Sequence, residues 1–344
     1  MTRFSCSVLS TSAILLLIGC TGQEPAAEAE AVAALVVVEK KANQVGFYAS
    51  DGTRLAGVSV GETPHEMVLD ADGRHLYVSD NGVLWMDYDG PGGNTVSIVD
   101  LETRSKVGEI SLGDYHRPHG LSIDPSGKRL LVTSENPNSL VLIDLKTRSV
   151  VKAYDNGGDA PHMVMFDKAG EWAYASNTNS NNVAAVNLET GAIVSITGCG
   201  GPQGGVLTDD GTRYYVTCRD TGTIQVIDTA SKSAVGEIKT GLGVNRINLT
   251  PDEGTLVYSI GGEGKFVAFA DVASLEETGR VELGGPPLSC TLSRNGDYAF
   301  AGVQDSDEIY VISVADRKIV QVIKTPEGQG PDPVMDLGSY SPPA

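Results

Sequence analysis

The chain has 344 residues, 41 glycines, 20% charged and 6% aromatic residues, and a formal net charge of −19. Phosphate binding needs clustered Lys and Arg, so this balance speaks against DNA, RNA and anionic lipid surfaces as partners. The charged fraction is too low for a disordered chain, and a Gly-rich, aromatic-poor chain of this length suits one all-β domain with many tight turns.

In chain order, residues 1–19 read as an export signal. Arg3 precedes an apolar stretch that ends at Ile18 and is too short to span a membrane. Leu17-Ile18-Gly19-Cys20 resembles the bacterial lipobox. That resemblance implies cleavage before Cys20, a lipidated Cys20, and membrane contact through the lipid; the alternative is an ordinary secretory peptide in which Cys20 is incidental. Residues 20–33, rich in Ala, Glu and Pro, read as an acidic tether. Thr21, rather than Asp, follows the Cys. The expected location is the cell envelope, outside the cytoplasm, and the periplasmic side of the outer membrane if the cell is Gram-negative.

From residue 34 onward the chain repeats. Segments such as "VSIVDLETRSKVGEI", "LVLIDLKTRSVVKAY" and "IQVIDTASKSAVGEI" place Asp100, Asp144, Asn187, Asp228, Asp271 and Ser313 at steps of 44, 43, 41, 43 and 42 residues. Each copy holds four short alternating apolar stretches bounded by Gly, Asp, Asn and Pro, which read as strands. Asp-Gly and Ser-Gly pairs mark hairpins between them. Four strands every ~42 residues predict a propeller. A seventh copy, starting near Glu308, has only three strands, and "ALVVVEKKANQ" (34–44) matches the missing one. The expectation is a single all-β domain over 34–344. It is a seven-bladed β-propeller with four antiparallel strands per blade, closed by an N-terminal strand (about 34–40) that completes the last blade.

The stretches "LYVSDNG", "LLVTSEN", "YASNTNSN" and "YYVTCRDTG", each followed by a "VxVID"-like strand, resemble the YVTN-type β-propeller repeat family over about residues 34–337. The resemblance implies the fold. It does not imply one activity, since related propellers include lipid-anchored, metal, haem d1 and lactonase proteins.

Three of the five histidines follow a proline at the entry to the third strand of a copy: Pro64-His65, Pro118-His119 and Pro161-His162. The equivalent positions read as Gln203, Asn245 or Arg246, Leu288, and Pro333 or Val334, so two blades are expected to place an apolar residue there. His116 and Arg117 share the His119 loop. Ring symmetry would aim these positions from one face toward the axis. His65, His119 and His162, with His116, would then suit Cu or Zn; the alternative is that the copies merely inherit loop grammar.

The insertion Val83–Gly93, read as lying between blades, brings Trp85, Met86 and Tyr88 with Asp87 and Asp89 to the same face, as a lid or as a tolerated loop. Cys199 and Cys218 both fall on that side, within reach of a disulfide, and Cys290 reads as buried and free. His75 reads as an edge residue of the opposite face. No G-x-S-x-G, H-E-x-x-H or P-loop pattern occurs. Arg117, Arg246 and Glu66 near the His rim do not reproduce a lactonase arrangement. The functional expectation is a binding protein or scaffold using its top face for a small ligand, a metal ion or a protein partner. The alternative is an enzyme with a His-based metal site or a lactonase-like hydrolase.

Overall fold

The computed structural model describes residues 1–2, 32–86, 88–262 and 264–343. Residues 3–19 of the expected export signal, Cys20 and the expected tether up to residue 31 lie outside the described residues, as does Asp87. The repeat-bearing unit is Val32–Ala344.

It is an all-β seven-bladed propeller of seven four-stranded antiparallel sheets. The innermost strands of blades 1 to 7 are Pro64–Leu69, His116–Ile123, Pro161–Phe166, Pro202–Leu207, Val244–Leu249, Thr291–Leu292 and Pro331–Asp336. Alternation along the strands places one set of side chains against each neighbouring sheet. The core therefore lies between blades: Leu131, Leu140 and Leu142 of blade 2 pack with Val164, Phe166 and Ala184 of blade 3. Hairpins at the opposite end use the expected turn chemistry. In blade 1, Gly73 adopts φ 72° while Asp70 Oδ1 accepts the Arg74 N–H.

The sheets are offset from the sequence copies by two strands. Blade 1 joins Pro64–Leu69 and His75–Asp80 to Thr95–Asp100 and Ser105–Ser111 of the following copy. The closing blade therefore pairs one C-terminal strand, Pro331–Asp336, with three N-terminal ones, Leu35–Glu39, Gln44–Tyr48 and Arg54–Ser59. Leu35 faces Asp336 and Val37 faces Val334, so the N-terminal strand does sit beside the last copy. A closed ring of repeats has no natural start, and periodicity alone cannot tell which strand is innermost. One consequence is a correction: the 83–93 insertion joins the second and third strands within blade 1, not two blades.

Neighbouring inner strands come close at Gly120. A methyl group there would lie 2.6 Å from His162 O and 2.7 Å from Met163 Cα, both backbone atoms that cannot swing aside. Gly120→Ala is expected to cost about 1–3 kcal/mol by overpacking, measured by chemical denaturation. A change within about 0.5 kcal/mol would contradict this contact.

Candidate functional site on the propeller axis

The inner strands carry a bulge at their entry. In blade 1, Pro64 pairs with Asp80 but Met67 with Val78, so an extra residue is accommodated between them. The same slip occurs in blades 2, 3, 4, 5 and 7. A bulge re-aims the side chains within it, which explains why the residue after the proline leaves the ladder. The register fixes the equivalent set as His65, His119, His162, Gln203, Asn245 and Asp332; in blade 6 Leu288, which follows Pro287 and bonds Gly302 O through its N–H, takes the place. Two expectations change. Blade 5 contributes Asn245, with Arg246 one position further on. Blade 7 contributes Asp332 rather than Pro333 or Val334, so only Leu288 is apolar.

A hydroxyl on the adjacent strand bonds the bulge in blades 1, 2, 4 and 5. Ser79 Oγ accepts the Glu66 N–H at 3.0 Å and donates to His119 O of the next blade at 2.8 Å. Thr133 repeats this with Gly120 N and His162 O, and Thr217 with Gly204 N and Asn245 O. Ser259 accepts from Arg246 N. The recurring Ser or Thr of "LYVSD", "LLVTS" and "YYVTC" is thus a blade-to-blade tie that helps set the rim residues, and the Ser of "LVYSI" bonds within its own blade. The recurrence was visible in the sequence, but its role was not.

The three Pro-His imidazoles meet. Ring centroids lie 4.6 Å apart for His65 and His119, and 4.0 Å for His119 and His162. His65 Nδ1 is 3.3 Å from His119 Nε2, and His65 Nε2 is 2.9 Å from Val83 O in the insertion. His119 Nδ1 is 3.3 Å from Glu135 Oε1, and His119 Nε2 is 3.8 Å from Glu66 Oε1. Arg246 donates to Glu66, and Lys40 to Asp332, as buried ion pairs.

Burial pushes all three imidazoles well below their ordinary pKa. The Lys40 and Arg246 charges add to this, so the rings are neutral. Burial raises Glu66, while Arg246 pulls it back. Burial pushes Glu135 up to about 7 against the pull of Arg117.

Above these groups lies a cavity of about 210 Å³. His65, His119, His162, Gln203, Asn245 and Arg246 line it; Lys40, Arg219, Leu288 and Asp332 complete the wall; Leu84, Trp85 and Met86 of the insertion roof it. Arg117 clasps the insertion, donating to the carbonyls of Met86 at 3.2 Å, Tyr88, and Gly90 at 2.7 Å. Tyr88 itself is exposed, and His116 does not line the cavity.

Among the described residues no group of three or more His, Cys, Asp or Glu is arranged to hold a metal ion. The expected Cu or Zn centre of His65, His119, His162 and His116 is therefore not formed. Its rings pack edge to face, His65 and His119 bond to each other, and His116 is elsewhere. His75 is also outside the site, bonded to Asp70 Oδ2 at 2.9 Å. Cys199 and Cys218 are disulfide-bonded, with Cα atoms 5.0 Å apart, and tie the loop before Gln203 to the strand end before Arg219. Cys290 is buried and free, its thiol pushed up to about 12 by burial.

Sequence reasoning missed Lys40, Asp332, Arg219 and Glu135. Lys40 and Asp332 are 292 positions apart and meet only through ring closure. The signal for Arg219 was its place directly after Cys218, at the end of a "YYVTC" strand.

A family model for the cytochrome D1 heme domain matches residues 209–335, a little over a third of the chain. That segment supplies Arg219, Asn245, Arg246, Leu288 and Asp332, while all three clustered histidines precede it. No curated protein matches the chain. Among solved structures, a protein of unknown function from Desulfotomaculum acetoxidans is 14% identical with a TM-score of 0.74, covering 89% of this chain and 99% of that one. Dihydro-heme d1 dehydrogenase NirN in complex with DHE is 19% identical with a TM-score of 0.67, covering 92% and 78%. Hydrazine synthase of Kuenenia stuttgartiensis is 17% identical with a TM-score of 0.64, covering 76% and 86%. At these identities the shared property is the propeller fold.

Proposed function

We propose that this YVTN-like propeller is a cell-envelope binding protein, anchored through lipid on Cys20, whose axial cavity takes a small organic anion. The observation that carries the ligand class is the charge of the lining. Of the three cations in the lining, Lys40 is paired with Asp332 and Arg246 with Glu66, which leaves Arg219, held by the exposed Asp220, as the cation most open to a ligand in a chain of net charge −19. The neutral His162 imidazole and the Gln203 and Asn245 amides add N–H donors that can orient a carboxylate without further charge. Leu84, Trp85, Met86 and Leu288 offer an apolar wall for a short carbon skeleton.

Size limits the ligand. Pockets for drug-sized molecules run to roughly 300–1,000 Å³, and this cavity is about 210 Å³. The partial match to a heme-domain family raises a tetrapyrrole as a ligand, but the residues present do not fit one. The space is smaller than that class requires. The nitrogens of His65 and His119 are taken up by each other, Val83 O and Glu135, and the roof lies across the rings.

The test is calorimetry with lactate, benzoate and their neutral amides, with hemin titrated in parallel. The carboxylates are expected to bind and the amides not to. Arg219→Gln, which removes a rim cation whose guanidinium is held, among the described residues, by its neighbour Asp220, should weaken carboxylate binding about 10-fold or more, the worth of a hydrogen bond to a charged group. Equal affinity for acid and amide, or stoichiometric hemin binding with a shifted Soret band, would overturn the reading.

A further inference from the structure

We infer that one proton on Glu135 holds the roof over the axial cavity and that its loss releases the roof, a regulation that rests on reading this cavity as the binding site. The argument is an account of hydrogens. A carbonyl oxygen only accepts, so the contact from His65 Nε2 to Val83 O requires the hydrogen on Nε2. A neutral His65 then has a bare Nδ1. The facing nitrogen, His119 Nε2, must therefore donate. A neutral His119 in turn has a bare Nδ1, and Glu135 Oε1 faces it. That contact is attractive only if the carboxyl brings the proton. The chain Glu135–His119–His65–Val83 thus runs in one direction and ends on the first residue of the insertion.

The second anchor of the roof depends on the same group. Arg117 holds the carbonyls of Met86, Tyr88 and Gly90, while its Nη1 lies 4.0 Å from Glu135 Oε2 and its Nε is buried with no partner. An ionised Glu135 would offer that Nε an acceptor and draw the guanidinium off Met86. It would also demand a hydrogen on His119 Nδ1. His119 Nε2 would then be bare against the bare His65 Nδ1, and His65 could relieve this only by giving up Val83. The Val83 anchor and the Arg117 bond to Met86 are lost together.

The charges around the chain are Arg117 beside His119, Glu66 beside His65, Arg246, Lys40 and Asp332, with His162 stacked on His119 and His116 next to Arg117 in sequence. Burial places the Glu135 transition at about 7, so the device would work in the neutral range.

The test follows acrylamide quenching of Trp85 in a Trp172→Phe background, between about pH 5.5 and about pH 8.5, with no ligand present. The quenching constant is expected to rise about twofold as the roof opens locally, with a midpoint near 7. Glu135→Gln keeps a donor toward His119 Nδ1 and carries no charge, so its quenching should stay low and flat. Arg117→Ala should be high at every pH. Flat wild-type quenching would overturn the proposal. So would a Glu135→Gln protein that titrates like the wild type, since a group other than Glu135 would then be the source. Because no ligand is used, failure of anion binding and failure of this switch are separate results.

Discussion

Arg246→Met is expected to destabilise the propeller by about 3–5 kcal/mol, because it strands a buried carboxylate. Glu66 is 6% exposed and Arg246 8%, and the two meet across the axis from blades 1 and 5. Arg246 also holds Asn245 Oδ1 at 3.0 Å. Removing the guanidinium leaves Glu66 with burial pushing its pKa up and its chief counter-charge gone. The carboxyl then stays neutral to higher pH than in the wild type, so the loss should deepen as pH rises. Pairing Arg246→Met with Glu66→Gln removes the stranded charge and should recover most of the stability, since a buried ion pair often gains little over a neutral replacement. Urea melts of the two single variants and the double variant at two pH values supply the cycle. A double variant as unstable as Arg246→Met would mean that packing around the guanidinium, not charge pairing, is what the axis needs.

The blade count and strand pattern were legible because every copy must bury two faces with alternating apolar residues, and that pattern survives divergence. The sheet boundaries were not, because a repeat of ~42 residues looks the same from any starting strand. The Pro-His cluster was legible as a set since the proline marks the bulge. Where the mark fails, so did the register. Val244 replaces proline in blade 5, and Pro331-Asp332-Pro333 offers two prolines in blade 7. The cluster's chemistry was misjudged because equivalent positions were assumed to aim lone pairs at one point. Ring packing and the partners Val83 and Glu135 turned them toward each other. Glu135 was invisible because nothing in "LLVTSEN" distinguishes a carboxylate beside an imidazole from one on the rim.

Glu135→Gln is expected to raise stability above wild type by about 3 kcal/mol at pH 8 and to change it little at pH 5. The sign follows from proton counts. The Glu135 carboxyl moves from its ordinary 4.5 to about 7 in the folded protein. Between those values the folded state binds a proton that the unfolded chain does not. Stability from this group is therefore fully present below the unfolded pKa and is lost as pH rises through the folded one. A carboxyl moved that far is worth about 3 kcal/mol. Glutamine is neutral throughout, fills similar volume, and can donate to His119 Nδ1 as the protonated carboxyl does. Its stability should lack the downward slope that Glu135 gives the wild type between pH 4.5 and about 7. Buried imidazoles cannot imitate this slope. Their pKa values are depressed, so their contribution grows with pH instead. Parallel wild-type and Glu135→Gln curves from pH 5 to 8 would show that Glu135 is ionised throughout, and would remove the proton on which the His119–His65–Val83 chain depends.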